Sequence, residues 1–404
     1  LVMAPALRQL LAPEQLTELP TFAGRLVAIT LLGWAIGGVL GGIAADYIGR
    51  RRVMIYTILI YALFTGLTAF SGNWWQMGIC RFITGLGLGG EWATGATLVA
   101  ESWPQRARAK GLGIMQSAFG WGALIASAAW FIIQPMGGAG AWRYPFLLGA
   151  LPALIVLYVR SNVEESEKWL ERNEHRQAAR AQQQAGATLS EEQAVLANFT
   201  VSSILQHPYM RRAMTQCLLM SLATTIGYWA VSSWIPSYTE AVAKAAGEAN
   251  PGRWSAIAGI VYNIGAIIGY LAGGFLADSI GRRALLACFF AGSIITTPIL
   301  YLWSHTPTAV VLAAGLNGIF TLGQFVWIAI YPAELFPTAV RATAMSMVFD
   351  TSRFISFLGP LVAGMLISRI GGFGPTALLF SSLYVVALIV VIFIPETTGK
   401  PLPH

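Results

Sequence analysis

Four charged side chains stand inside long apolar stretches of this 404-residue chain: Arg81, Glu91, Asp350 and Arg353. A charge at mid-bilayer costs about 2.5–3.5 kcal/mol on insertion scales, so each marks a functional position by default. A guanidinium is a planar fork of donors that fits a carboxylate, and Arg353 therefore reads as an anion-binding group. Asp350 lies three residues earlier on nearly the same helix face and is its alternative, structural partner. Burying a carboxyl group away from water favours the protonated form, which suits reversible proton binding by Glu91 or Asp350. The competing reading of Glu91 is a packed, hydrogen-bonded side chain. Arg81 precedes Glu91 by about 15 Å along a helix axis, so those two do not simply pair. Its alternatives are a part in proton movement and a bond to neighbouring carbonyls. Polar and aromatic residues that complete a candidate cavity are Gln116, Trp121, Tyr228, Trp229, Asn263, Gln324 and Trp327. Any one of them serves as readily as a helix–helix hydrogen bond or a lipid-facing ring.

Membrane helices must position these groups. The chain is 56% hydrophobic and 11% charged, against about 25% charged in a soluble domain. That excludes a soluble enzyme, a disordered chain and a disulfide scaffold; Cys80, Cys217 and Cys288 all fall in apolar runs. The net charge of +7 comes from short basic clusters between apolar runs, which read as topology signals and not as a nucleic-acid surface. Stretches of about 20 mostly apolar residues are residues 26–45, 53–73, 76–100, 111–134, 144–160, 213–236, 254–277, 284–303, 308–331, 342–367 and 373–394. Leu1 to Leu11 is too short to span and reads as the end of a truncated first helix, so an intact protein would have twelve. Arg353 falls about 18 Å into its span, near the midplane. The loops richer in Lys and Arg should be cytoplasmic, which places both termini of the intact protein inside. The polar stretch 161–210 is predicted to form surface helices joining residues 1–160 to residues 211–404.

The charged punctuation repeats. Gly42-x-x-x-Asp46-x-x-Gly49-Arg50-Arg51 recurs as Gly274-x-x-x-Asp278-x-x-Gly281-Arg282-Arg283, and Glu101-x-x-Pro104-x-x-x-Arg108 recurs as Glu334-x-x-Pro337-x-x-x-Arg341. Glu164 and Glu165 close the first half much as Glu396 closes the second. The chain therefore reads as a parallel duplication of a six-helix unit. Acidic and basic groups at these helix ends could pair across neighbouring helices and lock an inner gate; they also anchor and orient the helices.

On these residues the sequence resembles the major facilitator superfamily along essentially its whole length. The loop motif after the second and eighth spans is that superfamily's signature, and Arg81-x-x-x-Gly85-x-Gly87-x-Gly89 resembles its fourth-helix motif. The Glu-x-x-Pro-x-x-x-Arg repeats and the ending Pro395-Glu396-Thr397-Thr398-Gly399-Lys400 resemble the branch of sugar porters, organic ion and nicotinate-type transporters. The resemblance implies an all-α membrane protein with two six-helix bundles, the first helix truncated here. It further implies a secondary transporter, working as a monomer without cofactor in a bacterial-type inner membrane. Thr351-Ser352-Arg353-Phe354-Ile355 resembles the eleventh-helix segment of organic anion transporters, whose arginine recognises substrate, and Gly89-Gly90-Glu91-Trp92 resembles a segment of metabolite–proton symporters. The expected activity is proton-coupled symport of an aromatic or short carboxylic acid. A sugar or polyol porter and an exporter are alternatives, and a non-transporting receptor is the reading from another class. The sugar reading is weakened because Thr224 to Trp229 lacks the glutamine pair and asparagine that sugar porters carry there.

Other signals are rejected. Gly85-x-Gly87-x-x-Gly90 has no preceding strand, and small residues that let helices approach explain it better. No GxxxxGK[ST] motif points to ATP, and the four histidines have no metal-ligand spacing.

Overall fold

The computed structural model describes residues 3–133, 138–356 and 358–403, and no strand occurs among them. The helices are α1 (Met3–Leu10), α2 (Leu19–Ile48), α3 (Arg50–Thr68), α4 (Trp74–Ser102), α5 (Arg108–Ile133), α6 (Arg143–Leu148), α7 (Ile155–Asn162), α8 (Glu167–Gln184), α9 (Glu191–Ala197) and α10 (Thr200–Gln206). They continue as α11 (Pro208–Ser232), α12 (Ile235–Ala245), α13 (Pro251–Ile280), α14 (Arg282–Tyr301), α15 (Pro307–Thr321), α16 (Val326–Leu335), α17 (Arg341–Ser356), α18 (Leu358–Arg369), α19 (Phe373–Ser381) and α20 (Leu383–Phe393). Their starts follow local chemistry. The side chains of Asn73, Ser166, Asn250 and Thr306 each accept a bond from the backbone N–H three residues on, typically worth about 1 kcal/mol. Gly49 and Gly281 sit at φ 101° and 87°. This is backbone that glycine alone adopts cheaply, and it breaks α2 from α3 and α13 from α14 at matching places in the repeat.

Among the described residues, eight helical stretches are long and apolar enough to cross a membrane. The other expected spans, 53–73, 76–100 and 342–367, are occupied by α3, α4 and α17–α18, the helices that carry the charges. Residue 134 of one expected span, residue 357 of another, and Leu1 and Val2 of the expected truncated helix lie outside the described residues. Four spans expected as continuous helices are interrupted, and residues 213–236 break at Ser233 and Trp234 between α11 and α12. Residues 144–160 break into α6, a tight 3-10 turn at Leu151–Leu154 and α7, because Pro152 has no N–H for an interior helix bond. Residues 308–331 break at a second such turn, Gly323–Phe325, where a Cβ on Gly269 of α13 would lie 2.9 Å from the Gly323 Cα. Residues 373–394 break at Ser382. The linker forms α8 to α10, yet it is not only a surface feature: Trp169, Ala179 and Arg176 of α8 are buried.

Helix α2 has two glycine faces, as the small-residue reading requires. Through Gly33, Gly37 and Gly41 it meets the α4 backbone; through Gly38 and Gly42 it meets Asp350 and Ser346 of α17. Outward-facing apolar side chains such as Leu63, Phe131, Leu157, Leu312 and Phe393 are more than half exposed, which suits lipid contact. A Cβ on Gly37 would sit 2.0 Å from the Leu86 carbonyl oxygen, a backbone atom that cannot swing away. Gly37→Ala is therefore expected to destabilise the purified protein by about 1–3 kcal/mol, read as a lowered melting midpoint. An unchanged midpoint would mean that α2 and α4 slide apart freely.

Candidate functional site

The predicted charges on α17 meet each other. Arg353 Nη1 is bonded to Asp350 Oδ1, one turn away on the same face, so the expected structural pair forms. Both residues are buried. The guanidinium lies 4.2 Å from the ring centre of Trp34 on α2 and 3.6 Å from that of Phe349. Desolvated cation–π contacts of this kind contribute about 2 kcal/mol. The Asp350 carboxylate occupies the notch left by Gly38, where a Cβ would lie 2.0 Å from Oδ2, and Oδ2 is buried without a hydrogen-bond partner. The pair therefore bridges α17 and α2, with one buried acceptor unused.

Aromatic contacts connect this pair to several predicted cavity residues. Phe349 packs on Trp92 of α4, ring centres 4.4 Å apart, and the Trp92 indole donates to the Gln116 side chain at 2.9 Å. On its other side Phe349 meets Phe325 (5.9 Å), which meets Tyr228 (5.3 Å), which meets Trp229 (5.2 Å). Gln116, Tyr228 and Trp229 thus belong to one aromatic surface around Arg353. Trp327 donates to Thr224 across to α11, and Gln324 donates to the Thr321 carbonyl with its own oxygen buried and unbonded. Asn263 is spent on the Gly259 carbonyl of its own helix, and Trp121 is 53% exposed. Neither has a contact to this surface among the described residues. The Glu91 carboxyl group has no hydrogen bond or ion pair among the described residues, while its backbone carbonyl accepts from the Thr94 hydroxyl; Tyr61 of α3 lies within reach of its charge. Arg81 is apart from Glu91, as expected, with Nε buried and unbonded and its guanidinium 6.0 Å from the Phe146 ring centre.

The repeated charges gather at one end of the helices in two related clusters. In the first, Arg50 forks onto Glu101 at 3.1 and 3.0 Å, reaches Asp46 at 3.2 Å and donates to the Ala45 carbonyl. In the second, Arg282 forks onto Glu334 at 3.0 and 2.6 Å, reaches Asp278 at 2.7 Å and donates to the Ala277 carbonyl. Glu165 accepts from the backbone N–H groups of Arg50 and Arg51, as Glu396 does from those of Arg282 and Arg283. The Arg51 and Arg283 side chains donate to the carbonyls of Arg160 and Ile392. Contacts then cross between the halves, among them Arg50 to the Thr338 carbonyl at 2.9 Å. Arg341 donates to Glu101 at 2.8 Å, and Asp46 accepts from the Thr343 hydroxyl (2.7 Å) and N–H (2.9 Å) at the start of α17. A carboxylate at a helix N-terminus is favoured by the exposed N–H groups and the helix dipole. Gly113 of α5 also packs against Gly274 of α13, a Cβ there reaching 2.8 Å. This end of the molecule is shut.

Residues 11–404 match the sugar (and other) transporter family. The chain belongs to this family of the major facilitator superfamily. It is 31% identical over 379 residues to the "Probable 4-methylmuconolactone transporter" of Cupriavidus pinatubonensis, covering 93% of this chain and 82% of that protein. It is 27% identical over 406 residues to the niacin transporter NiaP of Acinetobacter baylyi, covering 95% and 87%. Among solved structures, the proton:xylose symporter XylE bound to 6-bromo-6-deoxy-D-glucose superposes with a TM-score of 0.74 at 20% identity, over 99% of this chain and 93% of that one. That likeness gives the fold, two six-helix bundles; the family match makes the chain a multi-pass membrane transporter.

Residues that sequence reasoning passed over complete these clusters. Trp34 and Phe349 flank the Arg353 guanidinium and Trp92 packs on Phe349, Thr338 and Thr343 meet the charged cluster from the other half, and Arg176 of the linker donates to the carbonyls of Asp46 and Ala339. Only Trp92 carried a signal, as the neighbour of Glu91. Glu396 follows the last helix and sets a pH limit. Burial raises its carboxyl, but bonds from the Thr398 hydroxyl and from the N–H groups of Arg283, Arg282 and Thr398 outweigh that and hold it at about 2. An unfolded glutamate titrates near 4.3, so this contribution to stability is complete above about 4.3 and is lost as pH falls through about 2. Glu396→Gln is expected to melt earlier than the parent at pH 7, with the gap closing between about pH 4 and pH 2. A gap that stays constant over that range would contradict this account.

Proposed function

We propose that this transporter is a proton-coupled symporter of a small organic anion, aromatic or short-chain, that works by alternating access. The observation that carries the reading is Arg353, a buried guanidinium between Trp34 and Phe349 whose only anionic partner among the described residues is Asp350. A substrate carboxylate that displaces Asp350 would take over the guanidinium fork, and the rings would face its hydrocarbon part. Asp350, freed from its counterion in a dry site, would then bind a proton, with Glu91 as the second candidate. The names of the relatives support the class, since muconolactones and niacin are carboxylic acids. Residues 1–160 and 211–404 rock as two bodies about the substrate, joined by 161–210. With the basic loops cytoplasmic in an inner membrane, the shut charged end corresponds to the outward-facing state. The functional unit is a monomer.

The decisive experiment is uptake into proteoliposomes, with and without an inward proton gradient, of nicotinate, benzoate, lactate and a hexose. Gradient-stimulated uptake of an acid is expected. Uptake of the hexose alone would move the chain to the sugar-porter reading and remove the role given to Arg353. In Asp350→Asn, stimulation by the gradient should disappear while counterflow of the acid persists; retained stimulation would shift the coupling role to Glu91.

A further inference from the structure

The two charged clusters arise from one duplicated sequence, yet they are not equally satisfied. Arg341 uses its whole guanidinium: Nε donates to Ala333 and Phe336, Nη1 to Glu101 and Thr338, and Nη2 to the Pro403 carbonyl. Its counterpart Arg108 keeps the matching Nε bond, to Ala100 at 2.8 Å. Its two terminal nitrogens have no hydrogen bond or ion pair among the described residues, although the residue is only 5% exposed. The Arg341–Glu101 bridge therefore has no Arg108–Glu334 counterpart. Asp278 differs from Asp46 in the same way. The position of Thr343 is taken by Lys110, whose amine lies over the Phe275 ring at 5.6 Å. Asp278 Oδ2 is accordingly buried without a partner.

A cavity of about 650 Å³ opens on this unsatisfied side, lined by Arg106, Arg108, Asp278, Arg282, Glu334 and Lys400 among others. The matching side of the first cluster is covered instead by α8, through Trp169 and Arg176. The cavity sets four cationic side chains against two carboxylates, and both carboxylates are already held by Arg282. What is left over is Arg108, with Arg106 and Lys400 at the rim. We infer that this cavity is a binding site for a phosphate group, distinct from the substrate site, held by the two free nitrogens of Arg108 and flanked by Arg106 and Lys400. A phosphate monoester carries about −1.5 to −2 charges at pH 7 and offers three acceptor oxygens, which matches a surplus of two positive charges. The guanidinium fork binds such a group through two parallel bonds. Arg108 belongs to the first half and Lys400 to the second, so the bound group ties the halves together where the duplicated ion pair is missing. Occupancy holds the charged end shut and slows turnover.

The test uses the full chain in nanodiscs and follows its melting midpoint. In neutral phosphatidylcholine discs, millimolar inorganic phosphate is expected to raise the midpoint by about 2 °C or more with a saturable dose response. The rise should disappear in both Arg108→Gln and Lys400→Gln. Lys400 is exposed and on a loop, so its variant keeps the test valid if Arg108→Gln folds poorly. Discs containing phosphatidylglycerol separate the two sources of the group. A midpoint raised by that lipid, lost in the same variants and no longer increased by free phosphate, assigns the site to a phosphodiester headgroup, which offers the fork two oxygens and one negative charge. No saturable rise from either source, a rise that sodium chloride of equal ionic strength reproduces, or a rise unchanged in both variants overturns the proposal.

Discussion

Arg353→Gln is expected to lower the uptake efficiency for a carboxylate substrate by about 10- to 150-fold while the protein still folds. The magnitude is that of losing a hydrogen bond to a charged group, about 1.5–3 kcal/mol. Glutamine retains an amide donor near Trp34 and Phe349 but has neither the charge nor the fork. Removing the arginine also strands Asp350, whose Oδ2 is already buried and unbonded, and an uncompensated buried charge costs several kcal/mol. The double variant Asp350→Asn with Arg353→Gln restores neutrality and separates the two effects. If it recovers stability without recovering uptake, the arginine acts on the substrate. If uptake returns with stability, Arg353 only balances Asp350. Arg353→Lys should recover part of the uptake at most, because a point charge lacks the planar fork and stacks poorly between two rings.

The second large effect is expected at the gate. Glu101 lies between Arg50 and Arg341, and it accepts from both. Glu101→Gln leaves two buried guanidinium groups facing each other, with Asp46 as the remaining carboxylate. Breaking a buried ion pair from one side costs about 3–5 kcal/mol. On the proposed alternating-access reading the Arg341 contact, which crosses between the halves, breaks when the charged end opens, so much of that cost falls on the shut state. The equilibrium between closed and open ends should shift by about a hundredfold or more toward open. Spin labels at Arg106 and Ser279, on exposed positions across the gate, would report it as a longer distance after the three native cysteines are replaced. A distance distribution identical to the parent's would show that Glu101 holds the first half together and does not latch the two.

The groups that sequence reading located were those that apolar surroundings cannot hide. Charges at nearly one repeat offset gave the duplication and the acidic and basic groups of the two clusters, though not Thr338, Thr343 or Arg176, and a spacing of three residues gave the Asp350–Arg353 pair. What stayed out of view depends on how helices rotate against each other. Trp34 lies in an apolar run like many others, and only the packing of α2 on α17 turns its ring toward Arg353. The breaks at residues 151–154, 323–325 and 382 do not register in hydropathy, because two are short 3-10 turns and the third a single turn residue, too brief to lower the mean of an apolar stretch. Arg176 was missed for the opposite reason. In a strongly charged helix it resembles a solvated side chain, although it is 4% exposed and spans both halves. Trp121 was drawn into the cavity by residue type alone, and it stands 53% exposed with no hydrogen bond or ring contact among the described residues.

The capping of α17 by Asp46 also bears on how the protein is made. All the donors that the Asp46 carboxylate uses besides Arg50 come from Ala342 and Thr343, the latter 297 residues later in the chain. At about 5–20 residues per second of synthesis, roughly 15–60 s separate the acid from its cap. During that interval its carboxylate has Arg50 and, once α8 is made, the nearby Arg176 charge, and the early helices wait in the bilayer with a charged end that lacks its cap. Biogenesis is therefore not two independent folding events in series. The first bundle is an unfinished substrate for the insertion machinery until α17 emerges, so a ribosome stalled before residue 341 should leave it open to quality-control proteolysis.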